Sequence, residues 1–491
     1  MDYYSYYFSI FAFELSILSE IIAMKHWKLY VLAVVVCGLG IWVCTRWDVW
    51  FHNPEELAYI PSESPEHVLL TFGDKDGRSR NVSWMCDTVV RPSCVELVCL
   101  ADSDTLQIAA SGEIFRSRSG QAAYYWARLS SLRPDQQYAY RAVTDGNASP
   151  WYHFRTYADN RQKLSFLYVG DVQDTLNGQA NRFLREALSH HPESEFLVCG
   201  GDLSERPTHQ HWQQAFRDID SVSQAMPFLT VTGNHDYLKG VIVSLERRFP
   251  LMFSYFLDSK VADNQVYTLC YGPVQFFLLD SNRELPYLFT QRQWLKEQLQ
   301  QSRSRWKIVV LHHPLFSIRG NNNLIQRWVF NDLIEDYGVD LVLQGHEHAY
   351  ARMTRHDDDG KPVTPVYTVS HCSPKNYRIE FDDRFDKFGI SSRYYQTIDI
   401  SGDTLSLAAY EVYGHTLYDS LQIIKAPLGY AVSPSEKLST LNSQLSTLID
   451  FGTAIPEYME YEPDPDSKKD RAFAERIADY KRRHPERLRK P

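Results

Sequence analysis

Five short clusters of metal-compatible side chains recur along this sequence, each behind a run of β-branched or aromatic residues. They are Gly170-Asp171-Val172-Gln173, Gly201-Asp202-Leu203-Ser204-Glu205, Gly233-Asn234-His235-Asp236, Leu311-His312-His313-Pro314 and Gly345-His346-Glu347-His348. Carboxylates, an amide oxygen and imidazoles together suit Fe, Zn or Mn, and one carboxylate can bridge two ions. Two ions roughly 3.5 to 4 Å apart provide what phosphoester hydrolysis needs: a hydroxide nucleophile and charge to neutralise the phosphoryl oxygens. The glycines let the backbone turn sharply at a strand end. A single Gly-Asp or His-x-His would be an ordinary turn or core feature. Five in order, each behind an expected strand, read as one convergent site.

Elements that could position these clusters follow from the periodicity. From residue 160 to 425, strand-like runs alternate with helical ones: KLSFLYVGD, NRFLREAL, SEFLVCGGD, WQQAFRDI, PFLTVTGNHD. This is the pattern of an α/β layered core, whose strands carry ligands at their C-terminal ends. Residues 65–157 differ, with short alternating strands between Gly, Asp, Asn and Pro turns, which reads as an all-β sandwich. Inside it, Leu132-Arg133-Pro134-Asp135-Gln136-Gln137-Tyr138 resembles the tyrosine corner of fibronectin type III domains, with Trp84 as the candidate core tryptophan. No catalytic spacing occurs there, so this part reads as a packing module. The strands PVYTVSHC, YYQTIDIS, DTLSLAAYEV and SLQIIK are expected to close the second sheet of the core.

In this order, GD, GD, GNHD, HHP and GHEH resemble the calcineurin-like metallophosphoesterase signature. The preceding fibronectin-like part, and Gly345-His346-Glu347-His348-Ala349-Tyr350-Ala351-Arg352, similar to GHxHxYER, narrow the resemblance to purple acid phosphatases. It covers roughly residues 65 to 425. The resemblance implies a four-layer α/β/β/α fold in which Asp171, Asp202 and His348 hold one metal, and Asp202, Asn234, His312 and His346 the other. Asp202 would then bridge them, a metal-bound hydroxide would attack phosphorus in line, and His235 would contact the phosphate and assist the leaving oxygen. It implies a phosphomonoesterase for a small phosphorylated substrate. A phosphodiesterase using the same metals is the alternative, and a non-catalytic binding protein on a degenerate phosphatase fold is another.

Two positions depart from that pattern. The family's iron-binding tyrosine is replaced by Glu205, and the position two residues after Asp171 is Gln173. Glu205, Gln173 or water then completes the first metal, and the enzyme is expected to be colourless. His313 reads as a supporting or packing residue. Arg319, in Arg319-Gly320-Asn321-Asn322-Asn323, is either a bidentate phosphate clamp in substrate binding or part of a solvated turn. His371-Cys372 lacks partner spacing and reads as core or loop.

The net charge of -10 gives no broad basic footprint, so nucleic acid is not an expected partner. Residues 1–50 hold the uncharged run Leu29–Thr45, which reaches the lower end of membrane-spanning length. Lys25 and Lys28 precede it and acids follow, so the main body is expected outside the cytoplasm, periplasmic or extracellular. An uncleaved anchor starting near Met24 is the first reading and a cleaved signal peptide the second. Among the eight cysteines, Cys86, Cys94 and Cys99 are close enough in sequence for one local disulfide, with buried free thiols an equal reading. Residues 426–491 turn polar and then basic, as a helix packed on the surface or a mobile extension.

Overall fold

The computed structural model describes residue 27 and residues 30–488, except 103, 159–162, 256–260, 262–264, 321, 426–446 and 453. The expected start at Met24, the flanking Lys25 and Lys28, and the boundaries at 160 and 426 lie outside the described residues. The chain divides into two compact units, residues 1–54 with 239–244, and residues 55–238 with 245–491. In the first, a helix spans Tyr30–Phe51, 22 residues, and an 18-residue stretch of it has mean hydropathy 1.7. It outruns the apolar run at its C-terminal end, because Arg46 and Asp48 continue the helix without breaking it.

The second unit is built on two large sheets. One has eleven strands, the other seven. In the larger, Lys163–Val169, Leu197–Cys199 and Phe228–Thr230 run parallel, and in the smaller Trp306–Leu311 and Leu341–Gln344 do. Their hydrophobic runs are buried on both faces, as parallel strands between layers must be. Phe166, Tyr168, Phe196 and Val198 from the larger sheet share one core with Phe276, Ile308 and Leu343 from the smaller. On the smaller sheet's other side, helices Leu285–Gln301 and Leu324–Asp336 bury Leu295, Leu299, Phe330 and Ile334. Helices Ala180–His190 and His209–Asp218 contribute Phe183, Leu184, Trp212 and Phe216 to the first core.

One expectation is corrected here, and two are made specific. The N-terminal β part supports its neighbour by direct strand pairing, because Glu66–Phe72 pairs in parallel with Phe228–Thr230 through Thr71 and Phe228. Its strands Glu66–Phe72, Arg80–Cys86, Gly120–Leu129 and Ser111–Ser117 thereby continue the eleven-stranded sheet. The correction concerns the second sheet: of the four strands expected to close it, only Pro362–Val369 does so. Tyr394–Ser401 pairs antiparallel with Lys163–Val169 and brings Thr404–Glu411 and Leu417–Lys425 into the first. Alternation tells which strand faces are buried, and not which sheet accepts the strand. Of the two readings of the chain's end, the packed helix is the one found: Lys468–Arg483 buries Phe473, Ile477 and Tyr480 against the smaller sheet's core, and Thr447–Asp450 extends the first sheet.

Within the β part, Trp84 is fully buried, lies on Tyr125 at 5.5 Å and donates from Nε1 to Thr144 Oγ1 at 3.0 Å. The Tyr138 hydroxyl accepts from the Arg133 amide at 2.8 Å, closing the corner. All eight cysteines are free thiols.

Candidate metal centre and its surroundings

Each of the five clusters begins just past the C-terminal end of a parallel strand, and all five meet. The backbone there is strained. Asp171, Asp202, His346 and His348 have φ of 46°, 51°, 72° and 44°, a left-handed region that non-glycine residues seldom occupy away from functional sites. Gly233 is needed where it stands, since a Cβ there would fall 2.0 Å from Asp202 Oδ1 and 2.1 Å from Asp202 N. At Gly345 a Cβ would fall 2.6 Å from Asp171 Oδ2.

One group of donors forms around Asp202. Its ligand atoms and those of His312 and His346 lie within 4.8 Å of one another. His312 Nε2 is 3.3 Å from Asp202 Oδ2, and Asn234 Oδ1 is 3.1 Å from His312 Nε2 and 2.8 Å from His346 Nδ1. The imidazole orientation is set from behind: His312 Nδ1 lies 2.8 Å from the Gly200 carbonyl, which can only accept, so Nε2 is the nitrogen turned toward the cluster.

A second group forms around Asp171. His348 Nε2 is 3.6 Å from Asp171 Oδ1 and 3.1 Å from Gln173 Nε2. His348 Nδ1 donates to the Lys375 carbonyl at 3.0 Å, which again directs Nε2 inward. The groups are joined by backbone, as His346 N–H donates to Asp171 Oδ2 at 2.6 Å and Gln173 N–H to the Asp202 carbonyl at 3.0 Å.

His235 sits at the rim. Its N–H donates to Asp202 Oδ1 at 2.8 Å, its Nδ1 to the Glu205 carbonyl at 2.5 Å, and its Nε2 lies 4.0 Å from Asp202 Oδ2. The Glu205 carboxylate is ion-paired with Lys375 Nζ, so it offers the cluster no free oxygen from Oε1. Of the two candidates for completing the first metal, Gln173 is the one placed against His348. His313 is turned to Ser281 Oγ at 3.0 Å and packs on His346 at 4.3 Å.

The electrostatics call for cations. Burial pushes Asp171 well above the usual carboxylate range, with Asp202 adding to the effect against His312. At Asp202 burial acts in the same direction, but the His312 and His235 imidazoles outweigh it and hold the carboxyl well below that range. Burial disfavours the His312 cation, yet Asp202 raises its pKa to about 9. Burial lowers His348 to about 4 and also lowers His346. Asp171 Oδ1 and Gln173 Oε1 are buried with no hydrogen-bond partner among the described residues. Two buried carboxylates, these oxygens and imidazole nitrogens facing the same cluster fit metal ions.

Sequence reasoning missed three neighbours. Glu347 lies between the two histidines; its carboxylate accepts from Ser317 Oγ and, at 2.6 Å, from the Ile318 N–H, bracing the segment that carries Arg319. Tyr377 stacks on His348, and the Arg319 guanidinium lies 4.5 Å over the Tyr377 ring. Lys375 joins His348 to Glu205. No motif marks Lys375 or Tyr377, which lie in the loop after Pro362–Val369. Arg352, by contrast, is buried away from the cluster between Asp419, at 2.7 Å, and Asp386, at 2.9 Å.

Residues 164–350 match the calcineurin-like phosphoesterase family, and residues 65–156 match the purple acid phosphatase N-terminal domain. Purple acid phosphatase 18 of Arabidopsis thaliana is 25% identical over 374 residues, covering 70% of this chain and 80% of that protein. Phosphoenolpyruvate phosphatase of Allium cepa is 24% identical over 360 residues, covering 66% and 72%. Fe(3+)-Zn(2+) purple acid phosphatase 12 of Arabidopsis thaliana is 22% identical over 315 residues, covering 60% and 66%. The solved structure of PhoD shares the fold, with a TM-score of 0.56 at 14% identity over 89% of this chain and 100% of that one.

Proposed function

We propose that this phosphoester hydrolase, whose residues 164–350 match the calcineurin-like phosphoesterase family and residues 65–156 the purple acid phosphatase N-terminal domain, is a binuclear-metal phosphomonoesterase, anchored by its N-terminal helix with the active site outside the cytoplasm. The observation that carries this reading is the convergence of Asp202, His312 and His346 donors within 4.8 Å, with Asp171 and His348 alongside. Asp202 would bridge the two ions, Asn234, His312 and His346 completing one site, Asp171, His348 and Gln173 the other. Such ions, drawn from Fe, Zn and Mn, supply charge neutralisation and an activated water for in-line attack.

The chain's own groups do the rest. His235 keeps Nε2 toward the cluster while its Nδ1–H is held by the Glu205 carbonyl. Once protonated it can donate from Nε2 to the departing alkoxide, and the carbonyl on the other side stabilises that imidazolium. Arg319 has no carboxylate partner among the described residues, and its guanidinium lies 4.5 Å over the Tyr377 ring. Its edge is available to two phosphoryl oxygens of a small phosphorylated substrate.

The test is metal content together with turnover of p-nitrophenyl phosphate and its bis ester, for the full chain in detergent and for Asp202→Asn and His346→Ala. Two metals per chain, preference for the monoester and loss of turnover in both variants are expected. Preference for the bis ester would replace monoesterase by diesterase. A folded protein that takes up no Fe, Zn or Mn and turns over neither ester would overturn the reading in favour of a binding protein.

A further inference from the structure

The loop 239–244, Lys-Gly-Val-Ile-Val-Ser, belongs to the same compact unit as the helix Tyr30–Phe51. A side-chain clasp ties them: Asn53 Nδ2 donates to the Lys239 carbonyl at 2.9 Å, and the Lys239 N–H donates to Asn53 Oδ1 at 2.8 Å. Asn53 follows the helix by two residues. That end of the helix is aromatic, with Trp42 on Trp50 at 4.8 Å and Trp47 on Phe51 at 4.6 Å. Tryptophans grouped at one end of an apolar span mark the level of the membrane boundary.

At the tip of the clasped loop, Val241 is 92% and Ile242 69% exposed, and Val241 is the most exposed large hydrophobic among the described residues. A single exposed apolar side chain carries little meaning. Two adjacent β-branched ones, fixed beside the boundary end of a membrane-length helix, do carry meaning. From Lys239 two residues reach at most about 7 Å, roughly the thickness of the headgroup layer. The tip can thus enter acyl chains while Lys239 stays among lipid phosphates, where a basic side chain is favoured.

We infer that residues 239–244 form a second membrane contact, with Val241 and Ile242 inserted into the bilayer beside the N-terminal helix. The inference rests on reading Tyr30–Phe51 as a membrane-spanning anchor. It is tested on the full chain in phosphatidylcholine–phosphatidylglycerol vesicles, with the photocrosslinking residue benzoylphenylalanine placed in turn at Val241, Ile242, Val35 in the helix, and Leu106. Leu106 is 60% exposed on the strand Thr105–Ala109 and serves as the solvent control. Lipid adducts at positions 35, 241 and 242, and none at 106, are expected. Adducts at 35 alone overturn the second contact and leave the anchor standing. Absence at 35 as well overturns the anchor and the contact with it, and chain-to-chain adducts at 241 or 242 replace lipid by a second copy of this protein.

Discussion

Tyr377 lies flat on His348, with ring centroids 4.2 Å apart and 14° between the planes. The same phenol ring carries the Arg319 guanidinium at 4.5 Å. One aromatic side chain therefore orients both an imidazole of the candidate metal site and a guanidinium with no carboxylate partner among the described residues.

Replacing Tyr377 by Leu is expected to lower kcat/KM roughly tenfold, the usual loss when a group orienting a ligand is removed. Tyr377→Phe, which keeps the ring, should restore most of it. Steady-state kinetics on p-nitrophenyl phosphate decides; equal losses in Phe and Leu would assign the effect to the hydroxyl instead.

Arg319→Ala should raise KM about tenfold with a smaller change in kcat, as expected for losing a charge-assisted hydrogen bond of about 1.5 kcal/mol to phosphate. Unchanged catalytic efficiency would sink the clamp and leave Arg319 a surface residue.

The iron-loaded protein should show no tyrosinate-to-iron absorption band in the visible range. Position 205, where the resemblance to purple acid phosphatases implies an iron-binding tyrosine, is a glutamate held by Lys375. An absorption spectrum after metal loading is the check.

Arg352→Met should destabilise the protein by roughly 3–5 kcal/mol, because it strands the buried Asp419 without its partner. Arg352 is remote from the cluster, so kcat per folded molecule should be retained. Denaturant unfolding alongside active-site titration separates the two effects.

Asp218 gives a pH signature away from the metal site. It is 1% exposed, accepts from Gln214 Nε2 at 2.7 Å through Oδ1, leaves Oδ2 unpartnered, and burial raises its pKa to about 7. The folded pKa lies above the unfolded value, so the folded state holds the extra proton. This group's contribution to stability is therefore full below about pH 4 and declines as pH rises through about 7. Asp218→Asn should gain on the parent by roughly 2–4 kcal/mol between pH 5 and pH 8. Denaturant midpoints at the two pH values measure it, and a difference that does not change with pH would rule it out.

Much of this protein was legible before any fold was known. Asp171, Asp202, Asn234, His235, His312, His346 and His348 stand in motifs whose residue types answer to metal and phosphate chemistry. The hydrophobic runs before them mark buried strands, because a parallel strand covered on both faces must be apolar throughout. Tyr138 was visible from its fixed spacing around one turn, and Trp84 from the resemblance to fibronectin type III domains that this turn carries. Sheet membership was not visible: Tyr394–Ser401 alternates as well for one sheet as for the other, and only its pairing with Lys163–Val169 decides. The parallel contact of Thr71 with Phe228, which fuses the β part to the catalytic sheet, joins residues far apart in the chain and leaves no local trace. Tyr377, Lys375 and the Asn53–Lys239 clasp depend likewise on which loops the tertiary structure brings together. Local spacing encodes what a residue can do along its own strand or turn, whereas its partners across the fold are set by packing that no short stretch of sequence contains.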